Sequence, residues 1–212
     1  MVQKLRLAAH SEADAYWSGG EYELNLTFGT LRDKQWQRVL ETIWNHEAVA
    51  GPFRRRYSPG DALDRVPILV PAPTDAQAQY GSLRVGSLCV GCGVLATRSL
   101  FECVTLQVPL GMFDGLHADP PASSRFHIDA LDRLYQDIAL AVYEAVPFDL
   151  ANIGFQCECR LVAELQTDSC QRRAFLAGGY FFARDTVLAS LNVRPDDYPL
   201  ALPGLHWVPP ED

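Results

Sequence analysis

The strongest constraint on this chain is one long amphipathic helix set between two alternating strands. From Ile128 to Val146, the residues Leu131, Leu134, Tyr135, Ile138, Val142, Ala145 and Val146 recur at i, i+3, i+4 and i+7. That spacing makes a single apolar stripe. Asp129, Asp132, Arg133, Asp137 and Glu144 lie mostly off it. Asp129 and Asp132 are expected in the first turn, where the helix dipole favours negative charge. Pro147 stops the helix, because its ring clashes with the preceding turn. A helix with one apolar side must bury that side against a second layer.

The flanking segments supply that layer. In Phe101–Leu110, Phe101, Cys103, Thr105 and Gln107 alternate with Glu102, Val104, Leu106 and Val108, the signature of a strand with two unlike faces. Pro109 and Gly111 end it. The segment from Gly111 to Arg125, with two Gly, two Pro and two Ser, reads as a long loop. After the helix, Asn152–Cys159 reads as the next strand.

The N-terminal part repeats the plan. Tyr22, Leu24, Leu26 and Phe28 alternate with Glu23, Asn25 and Thr27, and Gly29 breaks the run. Thr30 with Asp33 resembles a capping box. A helix from about Leu31 to His46 follows, with Trp36, Val39, Leu40, Ile43 and Trp44 as its stripe. Phe53 to Tyr57 suits a short edge strand, where arginines discourage edge pairing. Leu83–Val85 and Leu88–Ala96 are strand-like, with Gly86-Ser87 between them. Strands near 22, 88, 101 and 152 and helices near 31 and 128 give the order β-α-β-β-α-β. The expectation is an α+β fold: a ferredoxin-like βαββαβ antiparallel sheet with helices on one face, plus a C-terminal β extension. The extension places a strand at Tyr180–Ala183, a partner for it in Thr186–Val193, and an extended proline-rich tail docked through Leu200, Leu202, Leu205 and Trp207. All 212 residues are expected in one domain, with a core over about 20–160 and the extension over about 161–212.

Gln107-Val-Pro-Leu-Gly111, the helix ending Glu144-Ala-Val-Pro-Phe148, and Ile153-Gly-Phe155 resemble motifs of a family of uncharacterised bacterial proteins. The resemblance extends to Tyr22–Leu26 and the helix after it. These motifs define a fold, and no activity is assigned to the family. The resemblance implies one domain and carries over no functional residues.

Composition narrows the function classes. Hydrophobic residues make up 48% of the chain and charged residues 21%, as in ordinary folded proteins. No apolar run approaches the ~18 residues of a membrane span. Met1–Leu7 lacks the apolar region of a secretory signal, so a cytoplasmic location and no membrane association are expected. The net charge of −8 repels a phosphate backbone and disfavours nucleic acid. It suits a basic protein partner, and an uncovered sheet face would suit a homodimer.

Several residue groups invite chemistry. Cys89-Val-Gly-Cys92 has the spacing of a zinc knuckle, and Cys157 and Cys159 would complete four thiolates. Residues three apart in a continuous strand face opposite sides, however, so Cys89 and Cys92 read as structural thiols and no metal or cofactor is implied. Cytosolic cysteines need not pair as disulfides. His117 with Asp119, and His127 near Asp129, are acid–base candidates, and Arg125 would converge with His117, Asp119 and His127 around the 111–127 loop. Arg54, Arg55 and Arg56 form a basic run able to grip phosphate or an acidic partner. His46, at a helix end, suits a cation facing the dipole. The sequence contains neither a G-x-S-x-G nor a P-loop signature, which leaves catalysis without a recognisable motif. The expected function is therefore a non-enzymatic protein-binding module, of the immunity type that neutralises a basic partner. The alternative is an enzyme or small-ligand-binding protein using the 111–127 loop.

Overall fold

The computed structural model describes residues 16–58, 62–99, 102–114, 122–157 and 159–210; for 114 and 122–127 the description is of the backbone alone. Among these residues the strands are β1 Glu21–Phe28, β2 Val49–Phe53, β3 Ala76–Val85, β4 Leu88–Thr97, β5 Glu102–Pro109, β6 Leu150–Phe155, β7 Phe181–Arg184, β8 Leu200–Leu202 and β9 Leu205–Val208. The helices are α1 Asp33–Trp44, α2 Gly111–Asp114, α3 Ala122–Ala145, α4 Val162–Thr167, α5 Ser169–Gly178 and α6 Asp185–Ser190.

The strands make a single antiparallel sheet in the order β2-β3-β4-β5-β1-β6-β7-β9-β8. A four-stranded ferredoxin-like sheet is thus not what forms. The strands expected near 88, 101, 22 and 152 are neighbours in its middle, and five more extend it on both sides. Sequence reading shortens β3 because Ala76-Gln-Ala-Gln79 has no apolar period; that half is held as strand by its full ladder with β4.

Period two along the strands sorts the side chains into two faces. Tyr22, Leu24, Leu26 and Phe28 of β1, Val104, Leu106 and Val108 of β5, and Ala151 and Ile153 of β6 join one core with α1 and α3. The helix contributions follow the sequence stripes: Trp36, Val39, Leu40, Ile43 and Trp44 from α1, and Leu131, Tyr135, Ile138 and Val142 from α3. The opposite face is covered too. Leu150, Phe181 and Ala183 pack there with Leu165 of α4 and with Val187 and Leu188 of α6. Among the described residues helices therefore lie on both faces of the sheet, with α4 and α6 packed on the second face at β6 and β7.

Other boundaries differ for local reasons. Helix α3 begins at Ala122, six residues ahead of the expected Ile128 and directly after Pro120-Pro121 in the sequence, which the start of a helix tolerates. Asp129 and Asp132 therefore sit well inside the helix. Asp132 is buried and accepts hydrogen bonds from the hydroxyls of Tyr22 and Tyr180. Burial and this carboxylate push both phenols well above their usual acidity range. The cap of α1 is Arg32, whose N–H donates to Gln35 Oε1 at 3.1 Å, in place of the Thr30–Asp33 pair. The expected partner strand at Thr186–Val193 is largely helix α6. The tail folds back as the β8–β9 hairpin, with Leu205 buried and Leu200 64% exposed. No helix among the described residues is long and apolar enough to cross a membrane.

Candidate functional site

The central strands carry polar residues on the face away from α1 and α3. Glu21, Glu23 and Asn25 project from β1, and register places Gln107 opposite Glu23 and Thr105 opposite Asn25 on β5. Beyond β6 the described residues of 156–161 lie against them ahead of α4. Between this segment and the strands lies a cleft of about 600 Å³, lined by Glu21, Glu23, Asn25, Thr105, Gln156, Cys157, Cys159, Arg160, Leu161 and Glu164.

Asn25 organises the floor. Its Nδ2 donates to the Cys157 carbonyl, lies 3.2 Å from Cys157 Sγ, and reaches Glu23 Oε2 at 3.4 Å. Its Oδ1 accepts from the Thr105 hydroxyl and lies 3.2 Å from Cys159 Sγ. Cys159 is joined to Cys103 of β5 by a disulfide, so one wall of the cleft is tied covalently to the sheet. Glu21 is engaged by Gln107 Nε2 at 2.9 Å.

Two groups here have displaced acidities. Burial pushes the Glu23 carboxyl up from 4.5 to about 7; the Asn25 amide opposes this and the Glu21 charge adds to it. Burial likewise pushes the Cys157 thiol up to about 11. At neutral pH Cys157 is therefore a thiol, with carbonyl acceptors at Gly154 (3.6 Å) and Glu23 (3.7 Å). It is poorly disposed to act as a nucleophile, since the thiolate is the reactive form. Glu23, in contrast, exchanges its proton near neutrality.

The residues singled out in the sequence are dispersed. Cys89 and Cys92 lie on opposite sides of β4, Cys89 exposed and Cys92 buried, with burial pushing the pKa of the Cys92 thiol up. The pair cannot grip one ion together. Of the other proposed ligands, Cys159 is spent in the disulfide, and Cys157 packs against Asn25. No group of three or more His, Cys, Asp or Glu among the described residues is disposed to hold a metal. Arg54, Arg55 and Arg56 follow the end of β2 instead of forming an edge strand, and all three are exposed. The Arg56 guanidinium lies over the rings of Trp17 (5.0 Å) and Tyr80 (5.4 Å), a packing role. His117 and Asp119 fall outside the described residues. Arg125 and His127 lie in the first turns of α3, in helix and not in loop. His46 accepts the Ala48 N–H on Nδ1 (3.3 Å), and burial lowers its basicity, which works against the helix-end cation.

A second cleft of about 440 Å³, at the start of α1, is lined by Asp33, Lys34, Gln37, Val70, Pro71, Ala72, Pro73 and Arg98. Its Arg98 is already committed to Asp33 at 2.8 Å and the Pro71 carbonyl at 3.1 Å.

Sequence reasoning overlooked Glu23, Asn25 and Thr105, because polar residues alternating with a core face read as solvated. The only available signal was that Asn25 and Thr105 fall on matching faces of two strands whose pairing the sequence left open. No family model, curated protein or solved structure matches the chain, so the meaning of the cleft rests on its own geometry.

Proposed function

We propose that this chain is a small-ligand-binding protein whose central cleft takes an organic cation, an amine or a guanidinium compound. The supporting observation is the half-buried Glu23 carboxyl at the cleft floor, which accepts from the amide of Asn25 at 3.4 Å. Glu21 and Glu164 add two carboxyls to the lining, and among the described residues Arg160 is the one cationic side chain there. A carboxyl that resists ionising because burial removes its hydration gains most from a bound cation. Ligand and charged carboxylate then stabilise one another. The reading is of binding and not of nucleophilic catalysis, since Cys157 stays protonated.

The experiment is an NMR titration with agmatine and putrescine, with succinate as the anionic control. Amide shifts are expected in β1, β5 and residues 156–164, with affinity rising as pH passes upward through 7 and Glu23 loses its proton. Glu23→Gln should weaken binding at least fivefold. Succinate binding as well as the amines, or affinity indifferent to pH, would sink the reading. The protein-partner reading retains the support of the −8 charge alone. Among the described residues the large exposed apolar side chains, Leu69, Phe155 and Leu200, lie on three separate segments.

A further inference from the structure

The cleft brings three sulfurs to one place. Cys103 lies on the β5 floor and is only 2% exposed. Its disulfide partner Cys159 is half-buried and lines the cleft. Cys157, two residues away, is a free thiol on the other side of the Asn25 amide. The described residues of 156–161 have no helix or strand of their own. They are held by the disulfide, by the Asn25–Cys157 carbonyl bond and by the Gln156 N–H bonded to the Glu21 carbonyl at 2.9 Å.

We propose that the Cys103–Cys159 disulfide is a thiol–disulfide exchange site, entered from the cleft at the Cys159 sulfur by a small dithiol, and that its reduction releases the 156–161 wall. Only one of the two sulfurs lines the cleft, which fixes the direction of attack. A thiolate of the dithiol bonds to Cys159 Sγ as the Sγ–Sγ bond breaks, and Cys103 leaves with the electron pair and takes a proton from water. The second thiolate of the dithiol then attacks its own sulfur in the mixed disulfide and expels the Cys159 thiolate, which is protonated in turn. The protein disulfide is reduced by two electrons to two thiols, and the dithiol is oxidised to its cyclic disulfide. Cys157 does not compete, because it is largely buried and stays a thiol, with the Glu23 and Gly154 carbonyls as acceptors at 3.7 and 3.6 Å. The site stands on cysteine geometry and does not require the cleft to bind a cation.

The test uses the full chain, purified under air and kept folded. It is treated with dithiothreitol at pH 7.5, acid-quenched, then denatured and alkylated for intact-mass counting. Without dithiothreitol four cysteines should label, matching Cys89, Cys92, Cys157 and Cys170; with it all six should label, while circular dichroism stays native. Six labels before treatment, or four after treatment with six only in urea, would overturn the site. Entry is tested in a background lacking the exposed Cys89 and Cys170. There Cys103→Ser leaves Cys159, which should react with dipyridyl disulfide at least tenfold faster than Cys103 does in Cys159→Ser. Equal or reversed rates would refute entry from the cleft. Hydrogen exchange in residues 156–161 should rise at least tenfold on reduction, with β1 and β5 unchanged; an unmoved 156–161 segment would refute release of the wall.

Discussion

Replacing Glu23 by Gln tests the central electrostatic claim, because Gln keeps the shape and an acceptor for Asn25 but carries no charge. The folded-state pKa of Glu23 is raised from 4.5 to about 7, chiefly by burial. The folded protein therefore holds this proton more tightly than the unfolded chain does. Below about pH 4.5 both states are protonated and the site costs nothing. Stability falls as pH climbs from about 4.5 to about 7, and above that the penalty is complete. At about 1.4 kcal/mol per pH unit the full span corresponds to about 3 kcal/mol. The side chain still meets solvent in the cleft, and screening brings the expected penalty to about 1–2 kcal/mol. Urea denaturation at pH 8 and pH 5 measures it. Glu23→Gln should be more stable than the parent by that amount at pH 8, and the gap should close toward pH 5. A variant equal to or less stable than the parent at pH 8 would show that Glu23 is not the poorly solvated group inferred here.

Other residues give further tests. Asp132→Ala strands the buried hydroxyl of Tyr22 and the half-buried one of Tyr180 and should cost about 2–4 kcal/mol in chemical denaturation; adding Tyr22→Phe to that variant should cost less than Tyr22→Phe does alone. In Gly81→Ala the new Cβ would stand 2.5 Å from both the Ala50 carbonyl oxygen and Trp44 Cζ3, so β2 or the indole must move. A loss of about 2 kcal/mol or more with altered Trp fluorescence is expected, and an unchanged melting curve would contradict the packing. Iodoacetamide at pH 8 should label Cys89 and Cys170 quickly and leave Cys92 untouched until the protein unfolds. The acidic cleft should also rank reductants, cationic cysteamine opening Cys103–Cys159 several-fold faster than anionic glutathione once thiol acidity is allowed for; a reversed order would count against the charge of the cleft while leaving the exchange site intact.

Local pattern determined a good deal of this protein. Residues whose spacing dictates one buried side, such as Trp36, Leu40 and Ile43 or Leu131, Tyr135 and Ile138, announce their helices and their burial together, because one apolar face leaves a single low-energy way to pack. The alternation of β1 and β5 likewise fixed which side chains enter the main core. The opposition of Cys89 and Cys92 followed from the period of a strand alone. Tertiary structure decided what depends on partners distant in sequence. Ala76–Gln79 is a strand because β4 completes its ladder. Asp132 is buried because two tyrosines, one from β1 and one just before β7, come to meet it. Cys103 finds Cys159 across 56 residues, and Glu23 becomes a displaced acid only when the 156–164 segment folds over it. Periodicity records which face a side chain takes; what covers a polar face is set by chain closure and strand register, and those are settled only when the whole sheet assembles.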